Sequence, residues 1–352
     1  MNKKLEFSGS VFQKIMKQLS IIDRFKGNWD VVELKDSKYL KELKKIATIR
    51  SIGSSTRIEG AKITDKEVEQ LLKSIKLTKL SSRDEQEVIG YYEALEIILD
   101  NHEDITLSQR YIHQLHGISL KYSKKDQSHK GKFKQLSNQV VANYPDGTQR
   151  VIFRTTEPVL TPKEMEDLLD WTNKRISKSD MHPLMIIAAF VYEFLSIHPY
   201  QDGNGRLSRL LTTLLMTQGG YGFIQYVSFE NLIEERKKEY YKVLMDGQKN
   251  RYQETEIIDK WVLFFLDCLV TLAGRLEGKY DVYSKLTKDL NQRQKEVYAF
   301  IKLQRRVQMS EIESAFTKYS RNTLKKDLAY LVNEGMLLKT GERKGTRYHY
   351  QD

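Results

Sequence analysis

His198-Pro-Tyr-Gln-Asp-Gly-Asn-Gly-Arg-Leu-Ser-Arg209 joins two apolar segments and decides how the rest of the chain is read. Upstream, Leu184 to Ile197 is apolar nearly all round, as expected of a helix at the centre of a bundle. Downstream, Leu207, Leu210, Leu211, Leu214 and Leu215 recur at helical spacing, with Arg206 and Arg209 together on another side of the first turns. Between the two segments, Gly203-Asn204-Gly205 runs into a helix start, where backbone N–H groups and the helix dipole favour an anion. Two arginines one helical turn apart extend that phosphate cradle with bidentate donors, which suits a di- or triphosphate better than a single phosphate. Asp202 is placed to hold Mg²⁺ through one carboxylate while phosphates and waters complete the octahedron. His198, at the mouth of the same turn, is placed to take a proton from an attacking hydroxyl.

Outward from this stretch, all five prolines fall between Pro145 and Pro199, and the remainder is rich in Leu, Lys, Glu and Ile, which predicts a mainly α protein. Asn138 to Phe153 reads NQVVANYPDGTQRVIF, two β-prone ends around a Pro-Asp-Gly turn, and predicts one hairpin. Cys268 is the single cysteine and lies in an apolar run, which excludes a disulfide framework and fits a reducing compartment. No leader-like start is present and the longest apolar run is too short for a bilayer, so a soluble, cytoplasmic protein without a membrane partner is expected. The net charge is +11, and residues 291–352 carry 13 Lys or Arg against 7 Asp or Glu, so the basic excess is partly a C-terminal property.

A lone His-Pro is usually a helix terminator, and Gly-Asn-Gly is usually a C-cap and turn. Together, between two apolar helices, His198 to Arg209 resembles the Fic family signature His-x-Phe-x-Asp/Glu-Gly-Asn-Gly-Arg-x-x-Arg, departing from it at Tyr200. The resemblance implies a Fic helical bundle with a β-hairpin flap and a protein adenylyltransferase activity. His198 would activate a Ser, Thr or Tyr hydroxyl of a target protein, which attacks the α-phosphate of ATP. Mg²⁺ on Asp202, the N–H groups of Gly203, Asn204 and Gly205, and Arg206 and Arg209 would bind the nucleotide. Gly131-Lys-Phe-Lys134, where the family usually has Arg in place of Lys134, and the hairpin resemble the flap segment, with Val151 and Ile152 expected to clamp the target backbone. Glu239-Tyr-Tyr-Lys-Val-Leu244 resembles a further family stretch, so Tyr240 and Tyr241 are expected along the base or ribose; core packing explains either equally well. Fic domains often dimerise, so a homodimer is expected. The base of the nucleotide, and the direction of the reaction, AMPylation or de-AMPylation, stay open.

Ser55-Thr-Arg-Ile-Glu59-Gly60 resembles the inhibitory motif Ser/Thr-x-x-x-Glu-Gly/Asn of Fic proteins. Its spacing puts Ser55 and Glu59 one turn apart on a helix ending at Gly60. By resemblance Glu59 pairs with Arg209 and displaces the γ-phosphate; a carboxylate competing for one guanidinium opposes a phosphate there in any case. The C-terminal residues predict helices at Gln292 to Leu303, at Ser310 to Phe316 and after the N-cap Ser320, ended by Gly335. Leu337 to Tyr350 then reads as a two-stranded wing bearing Lys339, Arg343, Lys344 and Arg347. This order resembles a winged helix-turn-helix, with Arg321 and Lys325 the residues to face DNA; a protein-interaction face is the alternative. The expected organisation is an N-terminal helical region over 1–105 with the inhibitory helix around 46–60, a catalytic core over 106–275, and a module over 290–352. A rival function is a DNA-binding regulator whose Fic domain senses nucleotide.

Overall fold

Helix-forming sequence dominates the chain, and its punctuation sets the boundaries. The computed structural model describes residues 1–34, 38–74, 80–143, 149–286, 290–341 and 345–350. In chain order the helices up to the hairpin are α1 (Gly9–Glu33), α2 (Lys38–Ile58), α3 (Asp65–Lys73), α4 (Arg83–Asn101) and α5 (Gln109–Ser119). Strands β1 (Gln139–Asn143) and β2 (Gln149–Arg154) follow, then α6 (Thr161–Lys178), α7 (Pro183–Ile197), α8 (Asn204–Gln218), α9 (Phe229–Glu235), α10 (Lys237–Gln248) and α11 (Asp259–Leu286). The C-terminal elements are α12 (Gln292–Gln304), β3 (Arg306–Gln308), α13 (Met309–Ala315), α14 (Arg321–Asn333), β4 (Leu337–Thr340) and β5 (Arg347–Tyr350). Thr64 with Glu67, and Ser82 with Glu85, form reciprocal capping boxes that start α3 and α4 by satisfying orphan N–H groups. The fold is mainly helical, as expected. Among the described residues no helix is long and apolar enough to cross a membrane.

The chain divides into two units, Met1–Gly27 with Ala47–Ala273, and Asn28–Ile46 with Gly274–Asp352. In the first, every residue of α7 from Leu184 to Ile197 is buried, the all-round apolar helix expected at the centre. Trp261 of α11 donates its indole N–H to the Ala188 carbonyl at 2.7 Å, so even the aromatic core of this unit leaves no polar atom of that ring unpaired. Glu193, buried inside α7, is offset by Arg251 at 3.0 Å and by Lys4. The leucine row of α8 is buried as its spacing predicts. The hairpin is antiparallel, with Gln139 opposite Arg154 and a bulge between Val140 and Val141. Its Pro145-Asp146-Gly147 turn lies outside the described residues.

In the second unit, α12, α13 and α14 close on a core of Val297, Ile301, Ile312, Leu324, Leu328 and Leu331. Ser320 caps α14 by accepting from the Thr323 N–H, and Gly335 follows it at φ +69°. The two strands expected over Leu337 to Tyr350 are β4 and β5, which pair antiparallel, and β3 adds a third antiparallel strand on the other edge of β5. Arg343 and Lys344 lie outside the described residues. This unit also takes in residues 28–46, which no sequence pattern groups with the tail. Aromatic packing explains the grouping, because Tyr39 stacks on Tyr283 at 3.9 Å and Trp29 meets Tyr280 edge-on at 5.8 Å.

Candidate active site

α7 ends where His198 takes the left-handed conformation at φ 53° and donates its backbone N–H to the Phe194 carbonyl. That turn aims the half-buried imidazole into a cavity of about 280 Å³. Nδ1 faces the Leu195 carbonyl at 3.3 Å, and because a carbonyl only accepts, the proton sits on Nδ1 and the lone pair of Nε2 is left free. Burial, and next the nearby Lys134 ammonium, push the imidazole pKa down to about 4. The ring is therefore neutral, and a proton acceptor, at any physiological pH.

Lys134 is itself buried. It donates to Asn138 Oδ1 at 2.9 Å, Thr155 Oγ1 at 2.7 Å and the Ile197 carbonyl at 3.0 Å, while its backbone N–H reaches the Pro199 carbonyl at 2.9 Å. It thus ties both ends of the hairpin to the peptide groups on either side of His198. Tyr200 is fully buried and its hydroxyl, the atom a Phe would lack, meets His113 Nδ1 at 2.8 Å, while its ring stacks on His116 at 3.8 Å. His116 donates from Nε2 to the Asp202 carbonyl at 2.9 Å and accepts the Gly131 N–H on Nδ1 at 2.8 Å, roles its two partners dictate. Neither His113 nor His116 carries a sequence signal; each lies more than eighty residues from the loop it supports.

The loop that follows is stapled by Asn204, whose side chain exchanges both hydrogen bonds with the Tyr200 backbone at 2.7 and 2.8 Å. The Asn204 side-chain amide is consumed by the loop, which leaves its backbone N–H, the group expected on the nucleotide, as the one donor it has to offer. Gly203 needs its freedom, with φ +81°, to start α8. Asp202 accepts from the Gly203 N–H at 2.6 Å and from Lys125 Nζ at 2.6 Å. Burial would raise its pKa, but Lys125, Arg206 and that N–H outweigh burial and hold the carboxyl down at about 2.

Arg206 and Arg209, expected side by side on the phosphates, diverge. Arg206 is buried against Glu87 at 3.2 Å and Asp202 at 3.5 Å and does not line the cavity, so it buttresses the loop from behind. Arg209 does line it. Its Nε donates to Ser55 Oγ at 2.8 Å, and one terminal nitrogen donates to the Ser55 carbonyl at 2.9 Å and to Glu59 Oε1 at 2.7 Å. Ser55 sits on the last turns of α2, and Glu59 in the turn that Gly60 closes at φ +106°. The Glu59 carboxylate lies so close over the start of α8 that a Cβ on Gly205 would fall 2.2 Å from Oε1. Burial alone would raise the Glu59 pKa, yet the Arg209 guanidinium prevails and keeps it below the ordinary value. An ionised carboxylate thus occupies the head of the anion cradle.

Tyr240 and Tyr241 of α10 both line the cavity, and Tyr240 also packs edge-on against Trp261 at 5.8 Å, so lining and core packing hold together for that ring. Phe153 and Gln139 bring the hairpin to the cavity wall. Val151 and Ile152 fall in β2, but their side chains lie outside the described residues. Arg321 and Lys325 belong to the second unit and are exposed.

Acid offers a test of this geometry. His116, pushed by burial down to about 4, is neutral when folded but titrates near 6.5 when unfolded. Between those values the unfolded chain binds more protons, so unfolding free energy should fall as pH drops from about 6.5 to about 4, by at most ~1.4 kcal/mol per pH unit for this group. His198 adds a slope of the same sign. Urea unfolding across that window checks it; a flat profile contradicts the buried neutral histidines.

Fold and site together define a helical domain in which a loop-to-helix anion cradle and one basic imidazole share a cavity. Residues 106–216 match the family model described as the Fic/DOC family, and this segment is a Fic/DOC domain. The protein adenylyltransferase Fic of Drosophila willistoni is 28% identical over 257 residues, which is 72% of this chain and 45% of that protein. The chain therefore spans about half the length of the curated relatives it matches. Among solved structures, a Fic family protein of Desulfovibrio desulfuricans G20 superposes with a TM-score of 0.66 at 20% identity, covering 99% of this chain and 98% of that one. Fic-1 of C. elegans superposes with a TM-score of 0.58 at 20% identity, covering 77% and 73%. Both share the fold.

Proposed function

We propose that the chain is a protein adenylyltransferase that moves AMP from ATP to a Ser, Thr or Tyr hydroxyl of a target protein and is held in check by Glu59. The observation that carries this reading is the free Nε2 of His198 in one cavity with the head of α8 and with Arg209, a cation whose acidic partner is Glu59. In the step, the hydroxyl oxygen bonds to the α-phosphorus, its proton passes to His198 Nε2, and the bond to pyrophosphate breaks. The backbone N–H groups of Asn204 and Gly205 receive phosphate oxygens, the Gly203 N–H being held by Asp202, and Arg209, once free of Glu59, takes further phosphate charge. Adenylyltransferase activity named for the Drosophila relative supports ATP as donor.

A magnesium ion fits the donor set. Asp202 offers one carboxylate kept ionised, the single hard oxygen ligand that Mg²⁺ typically combines with waters and phosphates, and its Oδ2 already holds the Lys125 ammonium. When bound, the ion would neutralise phosphate charge. The reverse reaction would use the same cavity, with the ionised Glu59 carboxylate as the acceptor for a proton of water. The test is transfer of label from α-labelled ATP to protein, self-modification included, in variants at Glu59 and His198. A homodimer, proposed on resemblance, is measured by sedimentation in the same preparation.

A second reading concerns the C-terminal unit. A cleft of about 630 Å³ is lined by Arg321, Lys325 and Lys339, and the order helix, strand, helix, helix, strand, strand supports a winged helix that docks on DNA. Arg321 is already paired with Glu313 at 2.7 Å, so Lys325→Ala should weaken a duplex gel shift more than Arg321→Ala, and the shift should fade with salt. No shift at low salt sinks this reading and leaves a protein-binding face.

A further inference from the structure

The turn that carries Glu59 is anchored from its far side by Arg57. Arg57 lies on the last turn of α2 and Glu59 in the turn just beyond it, and their side chains go to different partners, Arg57 to Glu234 and Asp65 and Glu59 to Arg209. The Arg57 guanidinium donates to Glu234 Oε1 at 2.8 Å, Glu234 Oε2 at 3.0 Å, Ser54 Oγ at 3.0 Å, the Ile63 carbonyl at 3.0 Å and Asp65 Oδ1 at 2.9 Å. All five N–H directions are filled, and the bond to Glu234 is the bidentate fork that gives arginine its geometric specificity. Beside it, Lys237 Nζ donates to the Ile58 carbonyl at 2.7 Å, satisfying an end group of α2. The last turn of α2 is thus tied to the start of α3, to α9 and to the start of α10.

Gly53 supplies a second, independent observation. It lies inside α2, where glycine costs ~1 kcal/mol relative to alanine. A Cβ there would fall 2.6 Å from the Arg57 guanidinium and 2.7 Å from the Asp65 carboxylate. The helix is weakened at the point where room for this ion pair is needed.

We propose that Arg57 is a positioning residue for the brake: its guanidinium, forked onto Glu234 and bonded to Asp65 in the space left by Gly53, holds the turn in register so that Glu59 reaches Arg209, and breaking these bonds releases Glu59. The proposal rests on the reading of Glu59 as a brake. The latch residues are partly exposed, Arg57 at 21%, Glu234 at 27% and Asp65 at 41%, as is Glu59 at 31%, whereas Arg209 is buried at 4%. A protein surface that competes for either charge would release the brake without entering the cavity.

The experiment compares transfer from α-labelled ATP in the full chain for wild type, Glu59→Gly, Glu234→Gln, Gly53→Ala, and the pair Glu59→Gly with Glu234→Gln. Glu234→Gln keeps the shape and removes the charge; Gly53→Ala removes no charged group and favours the helix. Each is expected to raise transfer about 3- to 10-fold over wild type. Glu234→Gln should add nothing once Glu59 is gone, because the latch acts only through it. ATP affinity by calorimetry should rise in parallel, a readout that a general loosening of the fold would lower. If Glu59→Gly raises transfer while Glu234→Gln and Gly53→Ala stay at the wild-type level, the latch is wrong and the brake stands. If Glu59→Gly itself changes nothing, the brake and the latch fall together.

Discussion

Replacing Glu59 with glycine is expected to raise AMP transfer by about ten- to a hundredfold, the equivalent of the ~1.5–3 kcal/mol carried by one charge-assisted hydrogen bond. The variant gives up the 2.7 Å bond from Arg209, and a phosphate then takes the same nitrogen without competition. The effect on stability has the opposite sign. Without Glu59, the buried Arg209 keeps only Ser55 Oγ and the Ser55 carbonyl, two neutral acceptors for a full charge. The nucleotide-free variant should therefore melt below wild type, and ATP should raise its melting temperature by more than it raises that of wild type. A variant that melts lower yet gains no transfer and no extra ATP response would mean that Glu59 only neutralises a structural arginine.

Much of this site was legible because its chemistry is local. His198, Asp202 and the glycines fall within one short stretch, and a loop entering a helix makes the same anion cradle wherever it occurs. The motif at Ser55 and Glu59 was legible for the same reason. What spacing cannot reveal is which way a side chain turns when its partner is distant in sequence. Arg206 and Arg209 look equivalent on one helix, yet Glu87 of α4 draws the first behind the loop, while Ser55 of α2 holds the second at the cavity. The Lys125 bond to Asp202, the His116 bridge from Gly131 to the loop, and the Arg57 fork to Glu234 are all of this long-range kind. In the second unit, β3 is three residues long, too short for period-two alternation to register, and residues 28–46 join that unit through contacts distant in sequence, among them Tyr39 on Tyr283 and Glu42 with Gln304. The helices themselves were clear because capping pairs such as Asn291 with Gln294, and full rows of leucine, act at short range.

Replacing His198 with alanine in the Glu59→Gly background is expected to lower transfer by about 10²- to 10⁴-fold, the range for removing a positioned general base. ATP affinity should hardly change, because the groups proposed to meet phosphate are the α8 N–H groups and Arg209, none of which bonds to the imidazole. The two readouts must therefore separate, transfer falling while binding persists. His198→Asn is the companion variant: asparagine tolerates the left-handed conformation at φ 53° and retains polarity, but it has no basic nitrogen. Equal loss in both variants assigns the effect to Nε2. Retention in His198→Asn would assign it to the loop turn, and the proton would then have to leave by another route. The pH profile gives a third view. With the imidazole held down at about 4, the basic form is present throughout the neutral range, so transfer should stay level as pH falls from about 8 to about 5 and decline only as the ring protonates. A decline centred near 6.5 would mean that the imidazole is not desolvated in the working enzyme, and that the turn after α7 opens before the hydroxyl is activated.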